Sequence, residues 1–100
     1  MMTSKTRAYL KSISSTYDPI FQIGKGGITP EVCEAVSEAL TARELIKLSV
    51  LKNCFDDPKE VAQILAERTR SEIVHVIGRK IVLFRQNSRK EDRKIMLPVE

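Results

Sequence analysis

"IFQIGKGGITPE", Ile20 to Glu31, passes from a short apolar run through three glycines and one lysine into Thr-Pro-Glu. Ile20 to Ile23 is β-prone and follows Asp18-Pro19, where proline biases the preceding residue away from the helical region, so a first strand is expected there. After the glycines, Thr29 suits an N-cap, Pro30 the first helical position, and Glu31 the positive end of a helix dipole. A strand turning through glycine into a helix implies an α/β chain, because the next strand must return by a crossover.

The flanking sequence agrees. Residues 4–15 carry Ala8, Tyr9, Leu10 and Ile13 at helical intervals, with Lys5, Arg7 and Lys11 outside that stripe, which predicts a first amphipathic helix. Val32, Ala35, Val36, Ala39 and Leu40 repeat at three- and four-residue steps, predicting a second helix that ends near Ala42. From Glu44 to Leu51 the period becomes two, with Ile46, Leu48 and Val50 on one face and Lys47 and Ser49 on the other. Asp57-Pro58-Lys59-Glu60 resembles a capping box, so a third helix is expected through Val61, Ile64 and Leu65 to about Thr69. Glu72 to Ile77 and Lys80 to Arg85 are joined across Gly78-Arg79 at hairpin spacing and should pair antiparallel.

The expected fold is therefore α/β, in the order α-β-α-β-α-β-β: a two-layer sandwich with one mixed four-stranded sheet covered by helices. One hundred residues fit one domain, taken as 1–97, within which 86–94 reads as a basic, exposed or partly ordered extension. Ile95, Met96 and Leu97 restore apolar character as a last docked segment.

Hydrophobic residues make up 42% and charged residues 30%, the profile of a folded globular protein and not of a disordered one. No apolar run is long enough to span a bilayer, and the start lacks the apolar core of a secretory signal, so a cytoplasmic protein without membrane contact is expected. Cys33 and Cys54 lack metal-ligand spacing and read as buried reduced thiols. The net charge is +4 and the pI near 9.3. Between Arg79 and Lys94, seven basic residues face two acidic ones, which places +5 there and −1 on the remainder. Such concentration favours a polyanionic partner.

Gly24-Lys25-Gly26-Gly27 has the form GxxG. Glycine permits positive φ and lets another backbone approach closely. The loop's N–H groups, the end of the following helix and the Lys25 ammonium can together contact phosphate oxygens. The pattern is neither a P-loop nor a dinucleotide fingerprint, which disfavours nucleotide hydrolysis. A clamp on a nucleic-acid backbone, as in KH domains, is the better use. Lys5, Arg7, Lys11, Lys47 and Arg70 could enlarge the same basic surface.

The chain resembles the CRM domain (chloroplast RNA splicing and ribosome maturation), in particular its free-standing bacterial form, the YhbY family. The stretches that carry the resemblance are "SKTRAYLKSIS", "YDPIFQIGKGGITPEV", "EALTARELIKLSVLKNC" and "VAQILAERTRSEIVHVIGRKIVLFR". The resemblance implies a fold like the C-terminal domain of bacterial translation initiation factor three. It also implies RNA binding through Gly24, Lys25, Gly26 and Gly27, with Arg70 of the TRSE turn matching a further basic position. The implied partner is large-subunit ribosomal RNA in precursor (50S) particles, and the implied task is ribosome assembly. Arg89, Lys90, Arg93 and Lys94 add auxiliary charge.

Catalysis is not expected. His75, which by alternation shares a face with Ile73 and Ile77, lacks a sequence-near acid–base partner, and Asp57 is better explained as a cap than, with Asp56, as a metal site. No catalytic residues, metal, cofactor or small-molecule substrate are assigned, and a monomer is expected. Tyr9, Tyr17, Phe21, Phe55 and Phe84 are too few for a platform of base-stacking rings. A module docking on an acidic protein through its basic hairpin and tail is the alternative from another class.

Overall fold

The computed structural model describes residues 2–98. Its helices are α1 (Ser4–Ser14), α2 (Pro30–Arg43) and α3 (Pro58–Thr69), and its strands β1 (Phe21–Ile23), β2 (Leu45–Val50), β3 (Glu72–Ile77) and β4 (Lys80–Phe84). A 3-10 turn over Lys90–Asp92 follows. The strands form one sheet in the order β1-β2-β4-β3. β1 runs parallel to β2, whereas β4 is antiparallel to both β2 and β3. The expected element order and mixed sheet are thus present, with boundaries displaced by a residue or so.

Local chemistry explains the helix starts. Thr3 and Thr29 cap α1 and α2 by accepting from Thr6 N and Val32 N at 3.2 and 3.1 Å. At α3, Asp57 occupies the N-cap position and Pro58 the first turn, but the Asp57 side chain makes no cap bond, so the capping-box reading holds only in position. Arg70 ends α3 in the left-handed region, φ 55°, and its N–H closes the helix on Ala66 and Glu67 carbonyls.

α2 and α3 cover one face of the sheet. Val36 and Leu40 from α2, and Val61, Ala62 and Leu65 from α3, pack with Ile23, Ile46, Leu48, Val50, Ile81 and Leu83. Ile64 lies at the edge of this face, 36% exposed. The helical cover is divided, because α1 lies on the opposite face: Leu10 packs there with Leu45, Val74, Val82 and Phe84. Its buried row is Thr6, Leu10 and Ser14, with Ala8 and Tyr9 turned to solvent. The Ser14 hydroxyl satisfies itself on Lys11 O at 3.0 Å, which lets a small polar residue replace an apolar one in the row.

Strict alternation fails in β3. A register irregularity between Ile73 and His75 places Ile73 opposite Leu83 and His75 opposite Val82. Ile73 consequently packs on the α2/α3 side, while His75 faces the α1 side, correcting the face inferred from period two. The Arg7 guanidinium caps this irregularity by donating to Ile73 O and Val74 O. Cys54 is buried and Cys33 half-buried, both as free thiols.

Candidate functional site

Parallel β1 and β2 end together at Ile23 and Val50, and antiparallel β4 begins beside them at Lys80. The glycine loop, the β2–α3 connection and the Gly78-Arg79 turn therefore meet at one end of the sheet. Leu51 N donates to Ile23 O at 2.8 Å and Val50 N to Arg79 O at 2.7 Å. Arg79 adds Nε to Val50 O and Nη2 to Leu51 O, at 2.7 and 2.6 Å. Three segments remote in sequence are thereby locked by backbone bonds.

Within the loop, Gly27 N donates to Gly24 O at 3.0 Å and closes a turn with Lys25 and Gly26 at its tip, both exposed. The glycines have different reasons to be there. Gly27 has φ 66°, which an L side chain rarely adopts. A Cβ on Gly24 would make only ordinary contact with Asn53 and Leu51, at 3.5 and 3.6 Å. A Cβ on Gly26 would meet nothing within 4 Å. Gly26 is therefore not required by the backbone angle or by packing within the chain. What a bare Cα does leave at the tip is room for an outside group beside Lys25, next to the positive end of α2.

The surrounding charge is mixed. Lys25, Lys52 and Arg79 share this end with Glu31, Asp56 and Asp57, so anion attraction is local to particular side chains and N–H groups. Lys52 and Arg79 escaped the sequence reading as site residues; the signal available was the topology, which brings the ends of parallel strands together.

The other basic candidates divide into two groups. Lys11 and Lys47 come together on the α1 face beside His75, whose imidazole is held below its usual range, first by burial and then by these two lysines. Arg7 sits on the same face, half-buried, with its guanidinium engaged at the β3 irregularity. Arg70 lies at the other end of the sheet, where with Glu72, Arg85 and Thr6, the residue after Lys5, it lines a cleft of about 480 Å³. A six-residue strand spans about 20 Å, which separates Arg70 from Lys25 by about that length. The five flanking cations do not form one patch around the glycine loop.

Nor is the basic extension loose. Arg85 donates to Ser37 O and Thr69 O at 2.6 and 2.7 Å, and burial holds its pKa below the ordinary arginine value. Glu44 accepts backbone N–H groups of Asn87, Lys94 and Ile95, while Ile95 and Leu97 pack against the Leu10 cluster. The side chains of Arg89, Lys90, Arg93 and Lys94 stay exposed on this fixed backbone. Arg89 pairs with Glu91 at 2.7 Å, a contact that, after a backbone hydrogen bond at the same residue, holds the Glu91 carboxyl below its usual range. Among the described residues, no group of three or more His, Cys, Asp or Glu is placed to hold a metal, and no helix is long and apolar enough to cross a membrane.

Residues 2–85 match the family described as the CRS1 / YhbY (CRM) domain. The chain is 45% identical over 98 residues to the probable RNA-binding protein YqeI of Bacillus subtilis, covering 98% of this chain and all of that one. It is 34% identical over 86 residues to the probable RNA-binding protein MJ0652 of Methanocaldococcus jannaschii, covering 84% of this chain and 63% of that protein. The solution structure of the hypothetical protein SAV1595 from Staphylococcus aureus superposes with a TM-score of 0.78 at 48% identity, covering 98% of this chain and all of that one.

Proposed function

The chain belongs to the CRS1/YhbY (CRM) domain family, and from that premise we propose that it binds RNA, holding the sugar-phosphate backbone on the Gly24–Gly27 loop. The observation that carries this reading is Gly26, which has open space where its Cβ would lie and no positive φ to require glycine. A phosphate approaching the bare tip can take backbone N–H groups, the Lys25 ammonium and the field of the α2 N-terminus together. This is recognition of a backbone, with selectivity left to RNA shape and to groups beside the loop.

The RNA proposed is that of large ribosomal subunit precursors, met as a cytoplasmic monomer during assembly and without chemistry of its own. The support is the resemblance of the quoted stretches to the free-standing bacterial members of the family. Sedimentation of cell extract through a sucrose gradient tests it. The native protein should travel with large-subunit precursors, and Lys25→Ala should remain near the top. A native protein that stays at the top at low salt would remove the ribosomal reading.

A further inference from the structure

Resting on the RNA-binding reading of the glycine loop, we infer that Phe55 stacks on an unpaired base of the strand whose backbone that loop holds. Phe55 is 90% exposed, against 7% for its neighbour Cys54, which is buried in the main core. The exposure belongs to a held segment. Cys54 N donates to Leu51 O at 3.0 Å, and Leu51 and Asn53 stand at contact distance from where a Gly24 Cβ would lie. On the other side of Phe55, an Asp56 carboxylate oxygen stands 3.8 Å from the corresponding point on Gly27. The residues on both sides of Phe55 thus stand against the glycine loop, which brings an exposed aromatic residue into the neighbourhood of the proposed phosphate site.

Charge narrows the occupant. The Asp56 carboxylate stands against Gly27 and disfavours a phosphate on that side of the loop, while Lys25 at the exposed tip and Lys52 favour one nearby. A nucleotide divides in the same way, with its phosphate toward the lysines and its neutral, polarizable base toward the ring. A carboxylate can also accept from a base amino group. Stacking on one ring tolerates any base, so the contact distinguishes unpaired from paired RNA more than one sequence from another.

The test uses a single-stranded oligoadenylate of about ten nucleotides, within the size range of small single-strand sites, its abasic counterpart, and a duplex of equal length. Phe55→Ala should weaken oligoadenylate binding about 5- to 150-fold, the loss of one stacked base. Abasic and duplex affinities, and the thermal midpoint, should hardly change. The chain contains no tryptophan, so Phe55→Trp supplies a single reporter whose emission should be quenched by oligoadenylate but not by the abasic strand. If Phe55→Ala binds like the native protein while Lys25→Ala binds weakly, stacking is wrong and the loop reading stands. If neither variant changes affinity, the loop reading fails and the stacking inference with it.

Discussion

The buried carboxylate of Glu44 accepts the backbone N–H of Lys94 at 2.7 Å, across fifty residues of chain. Its other oxygen takes Asn87 N at 2.6 Å, so one side chain at the end of α2 organises the whole segment after β4. Replacing Glu44 with Gln keeps the volume but turns one accepting oxygen into a donor facing an N–H. Hydrogen bonds to charged groups are worth about 1.5–3 kcal/mol each. A loss of that size should lower the thermal midpoint by about 6–24 °C in a domain of this length, while the affinity of the folded protein for RNA stays nearly constant.

Gly26 and Gly27 should separate function from stability. Gly27→Ala places a Cβ at φ 66° and should destabilise by about 1–2 kcal/mol. Gly26→Ala meets open space, so its thermal midpoint should be unchanged while RNA affinity falls. Calorimetry and titration of the same preparations check both statements, and equal effects of the two variants would mean that the glycines serve the turn alone.

Lys25→Ala should reduce the dependence of affinity on salt as well as affinity itself. Removing one phosphate contact to a single strand should make the slope of log K against log salt shallower by about 0.7. Because Arg70 lies at the far end of the sheet, Arg70→Ala should combine with Lys25→Ala additively, within about 0.5 kcal/mol. Strong coupling between them would contradict the separation described here.

The imidazole of His75 is harder to protonate in the fold than in the unfolded chain, through burial and the nearby Lys11 and Lys47. The unfolded state therefore binds more protons as pH falls through the ordinary histidine range, and this residue's contribution to stability, complete above about pH 6.5, is lost as pH falls through its lowered folded pKa. Denaturant midpoints measured from pH 7.5 to 5 should fall less for His75→Gln than for the native protein.

Much of this architecture could be read from local signals. Thr29-Pro30 and Gly78-Arg79 announce a helix start and a hairpin, and the period of β2 names the face that meets α2 and α3, whereas its other face, expected to be polar, is covered too, with Leu45 and Ser49 buried. What escaped reading depends on contacts between distant positions. The irregularity in β3 has no mark in the run of isoleucine and valine from Ile73 to Ile77, and its partner Arg7 lies 66 residues away. In the sequence Arg7 is a cation outside the apolar stripe of α1, and only tertiary structure supplies its carbonyl acceptors. Glu44 opens the period-two stretch of the sequence, and nothing local shows its carboxylate receiving the amides of a returning tail. In the sequence Phe55 is one aromatic residue among five, and only the fold shows its exposure and sets its neighbours Asn53 and Asp56 against the glycine loop.

Amide chemical shifts of the labelled protein during titration with single-stranded RNA test the central claim most directly. The largest changes should fall on Gly24 to Gly27 and the first turn of α2, extending to the segment from Leu51 to Asp56. Changes centred instead on Arg70 and the start of α1, with the glycine amides unmoved, would contradict it.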